Sequence, residues 1–192
     1  MKNVVIIGAS GNIAKNVIDI LVKKDKINLT LFLRNKERLG NKDVSKCRII
    51  EGDALDFNQL KEAVNEQDIV YANLAGDLEV MAKNIAKAMG ETGVKKLIFI
   101  SSIGIYDVPL RSALKSYRKA ADVIEASDLE YTILRPTWFT NVDEVDYEIT
   151  KKGEAEKGSV ISQRSVAAFI VKIIESPGNY IRENLGINKL NS

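Results

Sequence analysis

The residues of this chain with chemical potential fall into four places. The first is a turn, Gly8-Ala9-Ser10-Gly11-Asn12-Ile13-Ala14, with glycines three apart and a small residue three further on. Between a strand and a helix, Gly8 permits a tight bend, Gly11 lets a pyrophosphate approach the backbone, and Ala14 lets the helix pack on the strand. The first N–H groups of such a helix, and the positive end of its dipole, suit phosphate. Ser10, Asn12 and Ile13 belong to the same binding stretch. The plain alternative is a βα turn with no ligand. The second place is Arg34, with Lys36 and Arg38 close behind. A carboxylate there would accept from the ribose 2′-hydroxyl of NAD(H); an arginine accommodates a 2′-phosphate, which its guanidinium matches bidentately. The expectation is NADP(H) in preference to NAD(H), against a merely solvated basic loop.

The third place is a pair of small or acidic strand exits. Asp53, in Gly52-Asp53-Ala54, could accept from an adenine amino group, and Ala75-Gly76 is small enough for a cofactor to pass closely. Asp56 reads instead as a helix N-cap. The fourth is Ser101-Ser102 with Tyr106, followed at a later strand end by Pro136, Trp138 and Phe139. Hydroxyls at a central strand mouth suit the meeting point of nicotinamide and substrate, although serine there can equally bond local backbone. Trp138 and Phe139 could wall a substrate pocket or form a lid that packs on the body.

Such residues need strands to carry them to one edge of a sheet. Short β-branched runs at residues 3–7, 28–34, 46–50, 69–74, 95–100 and 129–136 alternate with amphipathic stretches at 13–24, 57–66, 78–92 and 111–127. That alternation predicts an α/β fold, a doubly wound parallel sheet with right-handed crossovers. Its ligand crevice lies beyond the C-terminal ends of the strands. Met81 and Met89 fall at helical spacing and read as core filler. Residues 143–149 read as acidic and extended, 151–158 as a hairpin or loop, 164–176 as a helix and 184–188 as a last strand. The whole of 1–192 reads as one nucleotide-binding domain, with 137–192 contributing a small cap on the substrate side.

Composition removes several classes of function. The chain has 192 residues, a net charge of +2 and 6% aromatic residues. No basic stripe interleaved with aromatics points to nucleic acid, and no field draws the protein to a membrane surface. There is no histidine, which excludes histidine general bases, Ser-His-Asp triads and histidine metal ligands. No metal is expected. The one cysteine, Cys47, permits no internal disulfide and reads as a core or half-buried thiol at the start of a buried strand. No apolar run approaches the roughly 20 residues of a membrane span, and the N-terminal run is too short for a secretory signal. A reducing, cytoplasmic setting is expected.

Taken together, the Gly8/Gly11/Ala14 turn, Arg34, Gly52-Asp53, Ser101-Ser102 and the phrase Leu129-Glu130-Tyr131-Thr132-Ile133-Leu134-Arg135-Pro136 resemble the atypical short-chain dehydrogenase/reductases, specifically their NmrA-like NAD(P)-binding members. The start of the late helix, Arg164-Ser165-Val166-Ala167, is similar too. The resemblance covers nearly the whole chain and implies a Rossmann fold with bound NADP(H). It implies either a reductase of flavins, quinones or tetrapyrroles, or a redox sensor that binds the dinucleotide without turnover. Ser102 matches the family's catalytic serine, and Tyr106 the tyrosine closing the Ser-Ser-x-x-x-Tyr phrase. The family's Tyr-x-x-x-Lys acid is not formed by the tyrosines near this phrase: four residues after Tyr117 stands Ala121, and four after Tyr106 stands Leu110. Ordinary carbonyl reduction is therefore not expected. The two remaining readings are an NADPH-dependent reductase of a conjugated acceptor such as a flavin or quinone, and a non-catalytic NADP(H)-responsive module. An epimerase-type enzyme is a weaker third.

Overall fold

The computed structural model describes all 192 residues. Its elements run β1 (Lys2–Ile7), α1 (Asn12–Leu21), β2 (Ile27–Leu33), β3 (Arg48–Glu51), α2 (Phe57–Val64), β4 (Ile69–Ala72), α3 (Leu78–Thr92), β5 (Lys96–Ile100), α4 (Lys115–Glu125), β6 (Glu130–Pro136), β7 (Trp138–Thr140), β8 (Glu148–Lys151), β9 (Val160–Ser162), α5 (Gln163–Glu175) and β10 (Glu183–Asn188). Eight strands form one sheet in the order β3-β2-β1-β4-β5-β6-β10-β8. All neighbours pair in parallel except β8, which runs antiparallel to β10. The order reverses between β1 and β4, which is where a doubly wound sheet opens its crevice.

The continuous apolar strands exist because both faces of the sheet are covered. In β1, Val4 and Ile6 face the core beneath α1 and α5, while Val5 and Ile7 face the core beneath α2, α3 and α4; all four are fully buried. Asp56 caps α2, accepting from Asn58 N–H at 2.9 Å and Gln59 N–H at 3.1 Å. Asp77 caps α3 and Ser162 caps α5. The first helix differs: Gly11 occupies the N-cap position of α1 with no side-chain cap, and its first turn holds no acidic residue.

Two expectations need correction. The third strand is not a buried one. It lies at the sheet edge with only β2 beside it, and Arg48, Ile49 and Glu51 are exposed. Cys47 precedes it, half-buried, and burial raises its thiol pKa, with Asp43 adding to the effect. The C-terminal stretch is mostly not a cap. Helix α5 buries Val166, Phe169, Ile170, Ile173 and Ile174 in the main core, and β10 and β8 extend the main sheet. The two-stranded β7/β9 ribbon and the irregular residues 141–147 form a strap outside that sheet. Hydroxyls hold this strap down. Ser162 Oγ donates to the Glu144 carbonyl at 2.8 Å, and Ser165 Oγ accepts from Asp146 N–H at 3.0 Å.

Candidate functional site

A cleft of about 360 Å³ opens at the switch point. Four strand exits build it: the turn after β1 and the exits of β2, β3 and β4. Of the residues singled out by sequence, Gly8, Ser10, Gly11, Asn12, Ile13, Arg34, Asp53, Ala54, Ala75 and Phe139 line it. The glycines are required in two ways. Gly8 has φ +81°, and a Cβ there would lie 2.1 Å from the Asn73 carbonyl oxygen. A Cβ on Gly11 would lie 2.2 Å from the side-chain nitrogen of Asn73. Gly11 is therefore demanded first by Asn73, a cleft residue that the glycine spacing did not reveal.

The cleft fits a dinucleotide by its own chemistry. The uncapped first turn of α1 leaves backbone N–H donors that only a ligand or solvent can satisfy. At the far end, Arg34 and Arg38 line the wall. The arginines that do form ion pairs are Arg48, Arg118, Arg135 and Arg164, so both cleft guanidiniums are unpaired. Asp53 is held in place, its Oδ1 accepting from Leu55 N–H at 3.0 Å and its own N–H donating to Gln59 Oε1 at 2.9 Å. Gly52 is needed beside it, because a Cβ would meet the Phe32 ring at 2.6 Å.

Other expected site residues lie elsewhere. Gly76, Ser101, Ser102, Tyr106, Pro136 and Trp138 do not line the cleft. Gly76, at φ +109°, is tied instead to α4, its carbonyl accepting from Ser116 Oγ at 3.0 Å. Ser102 Oγ bonds the local Ile103 carbonyl at 3.2 Å, and Ser101 Oγ is buried with no partner. Pro136 is buried within β6. Trp138 is 69% exposed on β7, while its neighbour Phe139 reaches the cleft. Met81, expected as core, is buried and also forms part of the cleft wall. Besides Asn73 and Met81, the sequence reading missed Phe32, Leu33, Asn35, Leu74 and Gln163 as lining residues. The strand exits could have suggested Asn35 and Leu74; nothing local marks Gln163, which α5 brings in from far along the chain.

Tyr106 turns into a polar network on the α4 face of the sheet. Its hydroxyl accepts from Asn184 Nδ2 at 2.7 Å and donates to Glu125 Oε1 at 3.2 Å. Lys152 Nζ reaches both oxygens of Glu125, at 2.9 and 2.8 Å, and Asn184 Oδ1 accepts from Arg135 Nε at 2.9 Å. Burial pushes the Tyr106 phenol up, and Glu125 adds to that. This is the opposite of an acid primed for proton delivery. Burial also opposes ionisation of Glu125, but its hydrogen bonds from Lys152 and Asn184 win and hold the carboxyl below its ordinary value. The linkage sign follows: Glu125 contributes stability above its unfolded pKa, near 4.3, and loses it as pH falls through the lower folded value. Glu125→Gln is expected to cost about 1–2 kcal/mol at pH 7 and to flatten the acid limb below about pH 4. Denaturant unfolding of both proteins from pH 3 to 8 measures this; parallel curves would disprove it.

Comparison with known proteins agrees with this geometry. The NAD(P)H-binding family model matches residues 8–177. A Rossmann-fold NAD(P)-binding family protein from Shigella flexneri is 48% identical, with a TM-score of 0.93 over 100% of this chain and 95% of that one. A short-chain dehydrogenase/reductase from Veillonella parvula, solved in complex with NADP, is 26% identical, with a TM-score of 0.91 over 99% of this chain and 95% of that one. An isoflavone reductase homologue from Nicotiana tabacum is 23% identical over 209 residues, 92% of this chain and 65% of the relative. The chain thus spans just under two thirds of the curated relatives it matches. No helix is long and apolar enough to cross a membrane. With a glycine turn, an uncapped α1 and a cleft at the switch point, this chain belongs to the NAD(P)H-binding family, among the atypical short-chain dehydrogenase/reductases.

Proposed function

We propose that this protein is an oxidoreductase that prefers NADP(H) and passes hydride from NADPH to a conjugated small-molecule acceptor such as a flavin or quinone. One observation carries the choice of acceptor. Asp53 is the only acidic residue lining the cleft, which Arg34 and Arg38 also line, and it follows β3, an exit suited to the adenosine. No side-chain acid is placed to protonate a carbonyl oxygen. A conjugated ring tolerates this, since it takes hydride at one atom while solvent supplies the proton at another. Positioning then supplies most of the rate. Bound nicotinamide would supply the hydride. The chain's own part is to hold phosphates on the α1 turn, to fix the adenosine end with Arg34 and Arg38, and to offer Phe139 as an apolar wall. The NADP complex of the Veillonella relative and the reductase name of the tobacco relative support the same class.

NADPH oxidation is expected to rise at least about tenfold with one of a panel of flavins, quinones and tetrapyrroles. With no acid on the enzyme, kcat should stay level between about pH 6 and 9. Tight NADPH binding without stimulated oxidation would favour the second reading, a non-catalytic NADP(H)-responsive module. The bond of Ser102 to its neighbour's carbonyl and the place of Tyr106 outside the cleft support that alternative.

A further inference from the structure

The exit of β3 carries a charge that the proposed cofactor preference does not use. Register places Glu51 opposite Leu33, one residue before Arg34, at the edge of the sheet. Its Oε1 accepts from the Lys36 N–H at 2.8 Å. The neighbouring backbone donors are also taken: Glu37 N–H donates to Asn35 Oδ1 at 2.8 Å, and Arg38 N–H to the Asn35 carbonyl at 3.2 Å. The basic turn therefore offers an anion no free backbone donor among these three. A carboxylate is thus bonded to the turn that carries two unpaired guanidiniums. Gly52 and Asp53, the next residues after Glu51, line the same cleft as Arg34, Asn35 and Arg38.

We propose that Glu51 is a specificity-determining residue, whose carboxylate moderates how strongly the Arg34–Arg38 end distinguishes a 2′-phosphate from a 2′-hydroxyl. The inference rests on the NADP(H) reading above. A 2′-phosphate brought to Arg34 and Arg38 feels the carboxylate as a like charge, and the guanidiniums feel it as a partial neutraliser. Both effects weaken phosphate binding. A ribose hydroxyl carries no charge, so its binding is nearly indifferent to Glu51. The outcome is a protein that prefers NADP(H) by less than its two arginines alone would give. Glu51 would be missed by inspecting the β2 exit, because it arrives from the neighbouring strand.

The test is Glu51→Gln, which removes the charge and keeps an oxygen for the Lys36 N–H. The probes are 2′,5′-ADP and 5′-AMP, followed by NADPH and NADH, in calorimetric titrations of wild type and variant. Binding of 2′,5′-ADP and NADPH is expected to tighten by roughly three- to tenfold in Glu51→Gln, with 5′-AMP and NADH moving less than about twofold. The gain should shrink at about 0.5 M salt. Glu51→Asp, which keeps the charge, should stay near the wild-type ratio. A phosphate-to-hydroxyl ratio that stays the same or falls in Glu51→Gln would overturn the proposal and leave Glu51 as a brace for the turn. Wild type that binds neither NADPH nor 2′,5′-ADP would overturn the cofactor reading, and this inference with it. Wild type that binds both, with an unmoved ratio in the variant, would overturn only the inference.

Discussion

Gly8→Ala is expected to destabilise the protein by about 3 kcal/mol or more and to abolish nucleotide binding, whereas Gly11→Ala should spare the fold and damage binding alone. The difference lies in what each new methyl group meets. At Gly8, φ of +81° already disfavours any L side chain, and the obstruction 2.1 Å away is the backbone carbonyl of Asn73. That carbonyl belongs to the chain directly after β4 and cannot retreat without disturbing the central sheet. At Gly11, φ is −68°, which any residue adopts, and the obstruction is the end of the Asn73 side chain. It can swing aside for less than about 1.5 kcal/mol, but only by moving within the cleft. Thermal melts with and without NADPH separate the two. Gly8→Ala should melt well below wild type with no ligand shift. Gly11→Ala should melt near wild type with a reduced shift, and Asn73→Ala should recover its remaining stability loss in the double variant. Gly8→Ala melting like wild type would refute the turn geometry.

Arg34→Glu is expected to weaken NADPH at least about a hundredfold, roughly 3 kcal/mol, and to reverse the preference toward NADH. Removing the guanidinium deletes a charge-assisted contact to a 2′-phosphate. The new carboxylate repels that phosphate and offers an acceptor to a 2′-hydroxyl. Because wild-type Arg34 has no ion-pair partner within the protein, its loss should cost little stability. The binding effect is therefore separable from the fold. Titration of both nucleotides against both proteins, with melts as controls, provides the measurement. An unchanged NADPH-to-NADH ratio would remove Arg34 from the 2′ position.

These outcomes also separate what was readable along the chain from what was not. Strand and helix periods were legible because a parallel sheet covered on both faces imposes continuous apolar runs, as in β1. The glycine turn was legible because its requirements are local: backbone freedom at Gly8, small size at Ala14 and an uncapped helix start. Arg34 was legible as a strand exit. Edge and centre were harder to tell apart. The third strand sets Ile49 and Ile50 between Arg48 and Glu51, and its exposure follows from a place at the sheet edge that no local pattern encodes.

The C-terminal stretch shows the same limit. Its helix was foreseeable from spacing, but its place against α1 was not, nor was the parallel docking of β10 on β6. Those are long-range pairings decided by which surfaces remain uncovered once β1–β6 have assembled. Tyr106 is the sharpest case. Its phrase suggested a site residue, while packing turned it toward Glu125 and Asn184, residues 19 and 78 positions away. By itself the sequence determined the α/β class, the glycine turn after β1, the basic residues after β2 and the lack of a lysine four residues after Tyr106 or Tyr117. Only the tertiary structure decided that Asn73 and Gln163 face the cleft, that Ser102 and Tyr106 do not, and that Glu51 bonds the backbone of the basic turn. The physical reason is that backbone turns are set by neighbours in sequence, whereas the direction of a side chain is set by neighbours in space.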